Sequence, residues 1–396
     1  MCSLNNRVTQ LCFIRSLMKV LHVITSLRTG GAEKLMVELL PRMKTAGMAV
    51  DLCVFDGERT PFYEEIERRG VKVIALGHSV YSLSNVVKLV RLMRQYDVVH
   101  SHNTACQYGV AWGSVFVKSK IVTTEHNTTN RRRSKVWRLA DRWMYGRYDK
   151  IVCISELTKR NLLAHIGNAF AQKCILVYNG IDLSVFVQDK KYDQMSDSRK
   201  SGLQNIAGED SGTVEAMYRK HHGNDKTVVM VSAFRTQKDQ KTLIRAMKVL
   251  PEEYKLWLVG GGDERLIAEC KELTKKLDLN GRVTFTGVRT DIPNILRGAD
   301  VVVLSSHYEG LSLSSVEGMA CGRPFVASDV EGLSDVVGGY GVLFPHGNYE
   351  SLASSIKCLC EDEAYRAKVV SRCVARANMF DINMMADKYM NLYYAL

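Results

Sequence analysis

Two glutamates in the segment HYEGLSLSSVEGMACGRPFVASD, Glu309 and Glu317, stand eight residues apart, the first at the end of an apolar run and the second inside a helical stretch. A glutamate on the first turns of a helix can accept two hydrogen bonds from vicinal hydroxyls, such as those of a ribose. The N–H groups of the preceding turn, Gly310, Leu311, Ser312 and Leu313, can hold an adjacent phosphate. Upstream, VSAFRTQKDQKTLIRAM sets Arg235, Lys238 and Lys241 just after a strand, at the mouth of a helix carrying Leu243, Ile244 and Met247. Cations beside a helix N-terminus make a clamp for a diphosphate. Plainer readings stay open. Ser314-Ser315-Val316-Glu317 also fits a capping box, in which Glu317 serves its own helix start, and the three cations also fit a solvated loop. The capping box leaves Glu309 unexplained.

The first half of the chain offers a glycine turn and three histidines. Gly30 and Gly31 follow the strand VLHVIT and open a helix, so backbone N–H groups and the helix dipole face outward there, toward a phosphate or a polar substrate. A tight turn that allows close helix packing is the alternative, and GxGxxG is absent. His126 ends KIVTTEH, and His100 and His102 end DVVHSH, at the carboxyl edge where parallel sheets bind ligands. Each also fits a structural histidine hydrogen-bonded to a loop.

Such groups need a frame that gathers strand ends. At 396 residues, 46% hydrophobic and 24% charged, the chain is too long for one ordinary core and too apolar for disorder, which excludes a single small module and implies two domains. Short β-branched runs alternate with helical stretches, first at VKVIAL (71–76), DVVH (97–100), KIVTTEH, KIVCIS (150–155) and CILVYNG (174–180). A second series follows at TVVMVSAF (227–234), KLWLVGG (255–261), RVTFTG (282–287), DVVVLSS (300–306) and PFVASD (324–329). This is the pattern of α/β domains with parallel sheets. The expected organisation is an N-terminal extension over 1–17, a first domain over 18–182, a polar linker over 183–226, a second domain over 227–360, and C-terminal helices over 361–396, one of which can pack back on the first domain.

Eleven cysteines, an odd number with no CxxC pair and no zinc-finger spacing, fit reduced, buried thiols in the cytosol. A cysteine nucleophile has no local signature to support it. No stretch approaches the roughly 18 apolar residues of a membrane span, and the secretory-signal pattern is missing, so a cytoplasmic protein is expected. Residues 1–182 hold 27 Lys+Arg against 14 Asp+Glu, while residues 183–396 hold 27 against 28, so the basic excess belongs to the first half and points to a polyanionic partner. The segment RRRSKVWRLADRWMYGRYDK supplies much of it, with Arg131, Arg132, Arg133, Lys135, Arg138 and Trp143 forming an expected membrane or acceptor surface on an amphipathic helix. A core-facing helix with a solvated basic face is the alternative. No motif for binding nucleic acid accompanies the charge.

The pair Glu309/Glu317 within EGLSLSSVEGMACGRPFVAS resembles the donor-site signature of retaining GT-B glycosyltransferases of family 4, also called group 1. TGGAE (29–33), TTEH (123–126), VCIS (152–155), YNGID (178–182), QKDQKTLIRAM (237–247), WLVGGGD (257–263), FTGVRTDIPNIL (285–296) and GVLFPHGN (341–348) follow in that family's order. The resemblance implies the GT-B fold, with two Rossmann-like parallel-sheet domains facing across a cleft, the second holding a nucleotide-sugar donor and the first an acceptor. It implies no metal and no cofactor. By matching position, Glu317 would bind ribose hydroxyls, Glu309 the donor sugar, Lys238 a phosphate, Gly30 and Gly31 the glycine turn, and His126 the transferred sugar. Where the family often places an arginine this chain has Ala233, and Arg235, following Phe234, is expected to reach the same phosphates.

The implied reaction is retaining transfer from a nucleotide sugar, UDP-linked by expectation, to a saccharide or lipid-linked saccharide in surface polysaccharide or glycolipid synthesis, at the inner face of the plasma membrane. Two other readings stay open, a nucleotide-sugar epimerase of similar shape and a non-catalytic scaffold subunit that keeps the fold.

Overall fold

The computed structural model describes residues 18–28, 30–77, 82–126, 137–186, 225–310 and 312–396. The chain divides into two compact units, Met1–Gly180 with Asp381–Leu396, and Ile181–Phe380.

The first unit alternates strand and helix: β1 Lys19–Ile24, α1 Gly31–Thr45, β2 Ala49–Val54, α2 Pro61–Arg68, β3 Lys72–Ala75, α3 Leu83–Met93, β4 Val98–Ser101, α4 Thr104–Gly113, β5 Lys120–Glu125, α5 Arg138–Arg147, β6 Lys150–Cys153, α6 Glu156–Ile166 and β7 Cys174–Leu176. All strand pairs are parallel, in the order β3-β2-β1-β4-β5-β6-β7. The direction of winding reverses beside β1, next to β4, the place where doubly wound sheets bind ligands. Helices cover both faces, so β1 is apolar on both sides: Val20 and Ile24 join the core on one face, Leu21 and Val23 the core on the other, all fully buried.

The second unit continues with β8 Lys226–Val231, α7 Gln240–Val249, β9 Tyr254–Val259, α8 Glu264–Lys276, β10 Val283–Gly287, α9 Ile292–Gly298, β11 Val301–Leu304, α10 Leu313–Ala320, β12 Phe325–Asp329, α11 Leu333–Val337, β13 Val342–Pro345, α12 Tyr349–Glu361 and α13 Glu363–Asn378. Its sheet runs β10-β9-β8-β11-β12-β13, again all parallel, with the reversal between β8 and β11. Two Rossmann-like domains result.

The last helices separate. Helix α13 belongs to the second unit, where buried Arg376 donates to the carbonyls of Val336 (3.0 Å) and Asp335 (2.8 Å) and lies over the rings of Tyr340 and Phe380. The second unit therefore runs to Phe380, past the boundary at 360 read from the sequence. Only the final helix, α14 Ile382–Tyr394, joins the first unit, packing on α1 through Ile382, Met385, Tyr389 and Tyr393. Strands β2 and β13 stood outside the strand runs read from the sequence. The first, AVDLCV, carries Asp51, whose carboxylate accepts from the Tyr96 hydroxyl (2.6 Å); the second, VLFP, ends in proline. The extension over 1–17 and most of the linker lie outside the described residues.

Candidate active site

In the second unit, backbone packing shapes the loop after β8. The Phe234 N–H donates to the Gly261 carbonyl (2.8 Å), and the Asp263 N–H to the Phe234 carbonyl (2.9 Å). Gly260 and Gly262 hold φ of +141° and +147°, and a Cβ on either would come within 2.2 Å of Ser232 O or 2.4 Å of Phe234 O, so no side chain fits there. The loop then zips onto the end of β11: Asp239 N–H to Ser305 O (3.0 Å), Ser305 Oγ to Asp239 O (2.7 Å) and His307 N–H to Gln237 O (2.9 Å). Asp239 also caps α7 by accepting from the Thr242 N–H.

This zipper lays Lys238 against Glu309, and the ammonium and carboxylate form an ion pair with side chains only 11% and 5% exposed. The carboxylate further accepts from Gln237 Nε2 (2.8 Å) and Ser306 Oγ (2.9 Å). A carboxylate has about four acceptor positions and an ammonium three donors, so among the described residues Glu309 keeps one position, and Lys238 two, unused. The turn at Glu309–Gly310 is packed from behind by Gly332 (φ +89°), where a Cβ would fall 2.2 Å from Glu309 O.

Helix α10 begins after Ser312, whose carbonyl accepts from the Ser315 N–H (3.1 Å) but whose side chain makes no cap bond, so it leaves the N–H groups of Leu313 and Ser314 uncapped. Ser314 lies inside the helix, and the capping box fitted to Ser314 and Glu317 does not describe its start. Glu317 is part-buried on α10, and Leu311 lies outside the described residues. Of the three cations, Lys238 meets Glu309, Arg235 is exposed on the loop, and Lys241 is diverted to Glu269 (2.6 Å). Lys238 and Arg235 therefore remain as the candidate cations for a clamp. Gln237, Ser306 and Gly332 were not singled out from sequence; the motif QKDQKTLIRAM contains the first, but the other two meet the site only through folding.

In the first unit, the periodicity of the strands stands a row of histidines on one sheet face. Val20, His22 and Ile24 share a face of β1, Val98 and His100 a face of β4, and Val122 and Thr124 a face of β5; His22 is in register with His100, and His100 with Val122. His102 and His126 follow β4 and β5 on the same parity. Helix α14 brings Tyr389 and Tyr393, one turn apart, onto this face. The contacts form a line: His126 Nε2 to His102 Nδ1 (3.3 Å), His102 Nε2 to His22 Nδ1 (2.8 Å), His22 Nε2 to Tyr393 OH (3.3 Å), Tyr393 OH to His100 Nδ1 (2.5 Å), His100 Nε2 to Thr124 Oγ1 (2.8 Å), and Thr124 Oγ1 to Tyr389 OH (3.0 Å). Burial lowers the pKa of His22 to about 3 and of His126 to about 4, and burial with neighbouring imidazoles holds His100 and His102 well below the usual range. His100 and His102 are thus core residues, whereas His126, part-buried, is the outer end of the line. His22, inside an apolar strand, gave no sequence signal of its own.

Donor atoms of His22, His100 and His102 lie within 4.8 Å of one another, as do those of Asp239, His307 and His346. In the first group both nitrogens of each ring are already hydrogen-bonded, and in the second Asp239 caps α7, so neither is read as a metal centre.

At the other turn, Gly30 is the N-cap of α1, with φ of −169°, an extended conformation open to any residue, and Gly31 starts the helix. Arg131, Arg132, Arg133 and Lys135 lie outside the described residues. Helix α5 starts at Arg138; buried Asp141 anchors it, accepting from Tyr108 OH (2.7 Å) and pairing with His165 (2.9 Å). Its outer face exposes Trp137, Leu139 and Trp143 among Arg138, Arg142 and Arg147. Trp112 of α4, with its ring centroid 6.3 Å from that of Trp143, continues this patch toward exposed Val115 and Phe116, a part that the sequence reading missed.

Sequence profiles of two families cover the chain: Glycosyltransferase Family 4 matches residues 29–185, and Glycosyl transferases group 1 matches residues 217–373. The chain belongs to the GT-B, group 1/family 4 glycosyltransferases. Among its relatives, this glycosyltransferase is 30% identical over 168 residues to the N,N'-diacetylbacillosaminyl-diphospho-undecaprenol alpha-1,3-N-acetylgalactosaminyltransferase of Campylobacter jejuni, a match covering 42% of this chain and 44% of that one. It is 24% identical to the putative glycosyltransferase EpsF of Bacillus subtilis, over 78% and 79% of the two chains. The crystal structure of Anabaena Alr3699/HepE in complex with UDP superposes with a TM-score of 0.78 at 22% identity, covering 96% of this chain and all of that one. That likeness is one of fold.

Proposed function

We propose that this glycosyltransferase moves a sugar from a UDP-sugar to a saccharide or lipid-linked saccharide acceptor, with retention and without a metal. The observation that carries the reading is the Lys238–Glu309 pair, held by Gln237 and Ser306 at the carboxyl edge of the second sheet, beside the open start of α10. Lys238, Arg235 and the backbone of Gly310 to Leu313 take the diphosphate, Glu317 the ribose hydroxyls, and the vacant acceptor position of Glu309 a hydroxyl of the donor sugar. The bond between the anomeric carbon and the leaving phosphate oxygen breaks with its electron pair on the phosphate. The cation and helix-terminal N–H groups stabilise that charge. The acceptor oxygen attacks from the same face, its proton passing to a phosphate oxygen of the leaving diphosphate, while His126 orients a sugar hydroxyl. UDP and UDP-glucose in the Anabaena structures, and the diphospho-undecaprenol in the Campylobacter enzyme's name, support a UDP donor and a lipid-linked acceptor.

The patch of Trp112, Val115, Phe116, Trp137, Leu139 and Trp143, interleaved with arginines, supports a peripheral position on an anionic, cytoplasmic membrane surface, and the preceding sequence adds the charges of Arg131, Arg132, Arg133 and Lys135. Among the described residues no helix is long and apolar enough to cross a membrane.

Slow release of UDP from a UDP-sugar without acceptor tests the donor site. Glu309→Ala and Lys238→Ala, each confirmed folded, are expected to abolish it; undiminished release by both defeats the assignment.

A further inference from the structure

We infer that the buried histidine row acts as a positioning device, fixing His126 in the tautomer whose outward-facing Nδ1 carries the hydrogen. The row sits on one sheet face under α14 and runs Tyr389, Thr124, His100, Tyr393, His22, His102, His126, seven groups joined by six hydrogen bonds. In its neutral form each group brings one N–H or O–H hydrogen, because a neutral imidazole donates from one nitrogen and accepts at the other. Six bonds use six hydrogens, and the seventh is left over. A misordered bond inside the row sets two donors or two acceptors face to face, and each inner imidazole must donate on one side and accept on the other, so the surplus hydrogen rests either on His126 Nδ1, with all six bonds pointing outward, or on one of the three hydroxyls.

The two ends differ. Tyr389 is fully buried, and Thr124 is its one hydrogen-bond partner among the described residues. If the row points inward at His126, the surplus is stranded on the hydroxyl of Tyr393, Thr124 or Tyr389, all fully buried and with no further acceptor among the described residues. If it points outward, Tyr389 donates to Thr124, Thr124 to His100, His100 to Tyr393, Tyr393 to His22, His22 to His102, and His102 Nδ1–H to His126 Nε2. The surplus then sits on His126 Nδ1, at the carboxyl end of β5, where the ring is part-buried and this nitrogen has no partner among the described residues. Stranding a buried hydroxyl donor biases the two orders by at least about fivefold. His126 is therefore a hydrogen-bond donor to oxygen, a sugar hydroxyl or a phosphate, and does not serve as a base. His102, His22, Tyr393 and Thr124 act through it. The tautomer follows from the row alone; its use on a sugar rests on the function proposed above.

The test is long-range proton–nitrogen NMR on the full chain labelled with nitrogen-15 histidine, with the His126 signals assigned by their loss in His126→Gln. In the parent protein His126 is expected as the Nδ1–H tautomer by at least about fivefold. Tyr389→Phe keeps it, because outward order still leaves Thr124 donating to His100. Thr124→Val removes the partner of His100 Nε2 in both orders, so the bias disappears, His126 becomes a mixture of tautomers, and acceptor-free UDP release loses about twofold in efficiency. An Nε2–H tautomer in the parent overturns the inference without need of any variant, as does an unmixed Nδ1–H signal in folded Thr124→Val. Unchanged UDP release by His126→Gln, with the parent tautomer as expected, instead refutes the role given to His126 in the reaction.

Discussion

Replacing Lys238 by Met asks how tightly the donor site is tied to the stability of its unit. The pair is nearly sealed, at 11% and 5% side-chain exposure, so removing the cation leaves a carboxylate that can no longer be hydrated freely. Breaking one partner of a buried pair costs about 3–5 kcal/mol. Here Gln237 and Ser306 still donate to Glu309, which places Lys238→Met near the lower end, about 3 kcal/mol. In Glu309→Gln the amide oxygen can still accept from Lys238, and the expected cost is about 2 kcal/mol. The double variant buries no charge at this position and should lose only about 1 kcal/mol, giving a coupling of about 4 kcal/mol. For a unit of this size each kcal/mol moves the midpoint by about 2–4 °C, so Lys238→Met should lower the Tm of the second unit by about 6–12 °C. Calorimetry of the full chain, with the two units resolved as separate transitions, measures the cycle. A double variant as unstable as the sum of the two singles would refute the reasoning, as would a Lys238→Met midpoint within 1 °C of the parent's.

Two further outcomes are expected. Trp112→Ser, Phe116→Ser and Trp143→Ser combined, all on the exposed aromatic patch, should weaken sedimentation with anionic vesicles by at least about tenfold while leaving acceptor-free UDP release unchanged; vesicle binding equal to the parent's removes the membrane reading. Because His22 and His126 titrate at about 3 and about 4 when folded, against about 6.5 unfolded, the unfolded chain alone gains protons as pH falls below 6.5, so stability is lost at up to about 1.4 kcal/mol per histidine per pH unit down to the folded values. The first unit's Tm should therefore drop steeply between pH 6.5 and 5, and a flat profile there contradicts neutral burial.

Periodicity made the two sheets legible because parallel strands covered on both faces become nearly continuous apolar runs, as in VVVL of β11 and, interrupted only by His22, VLHVI of β1. It failed at β2 and β13, where Asp51 and a terminal proline break the run and pairing with β1 and β12 supplies what local preference does not. At the site, Lys238 and Glu309 could be read as chemistry-bearing residues, yet their mutual pairing could not, since it depends on the Asp239–Ser305 zipper and on Gly332 reaching the Glu309 turn. The histidine row was hidden for a related reason. His100 reads as an edge residue while its partner Tyr393, and Tyr389, the partner of Thr124, lie in the last helix of the chain, which sequence spacing alone cannot bring to them.

The two units keep buried polar chemistry by opposite means. The second encloses opposite charges, whose mutual attraction and two extra hydrogen bonds offset their desolvation. In the first half of the chain, where positive charge is already in excess, burying imidazolium would add to it without a carboxylate in the row to oppose it, and the four histidines are instead held neutral by burial. Neutral imidazoles need one donor and one acceptor each, a demand that β1, β4 and β5 cannot meet among themselves; Tyr393 bridges His22 to His100, and Tyr389 closes the inner end through Thr124. The return of α14 to the first unit is thus more than coverage of an apolar face. It completes the hydrogen bonding of a row that ends at His126, so the last residues of the chain bear on what that histidine presents at the carboxyl edge of the sheet.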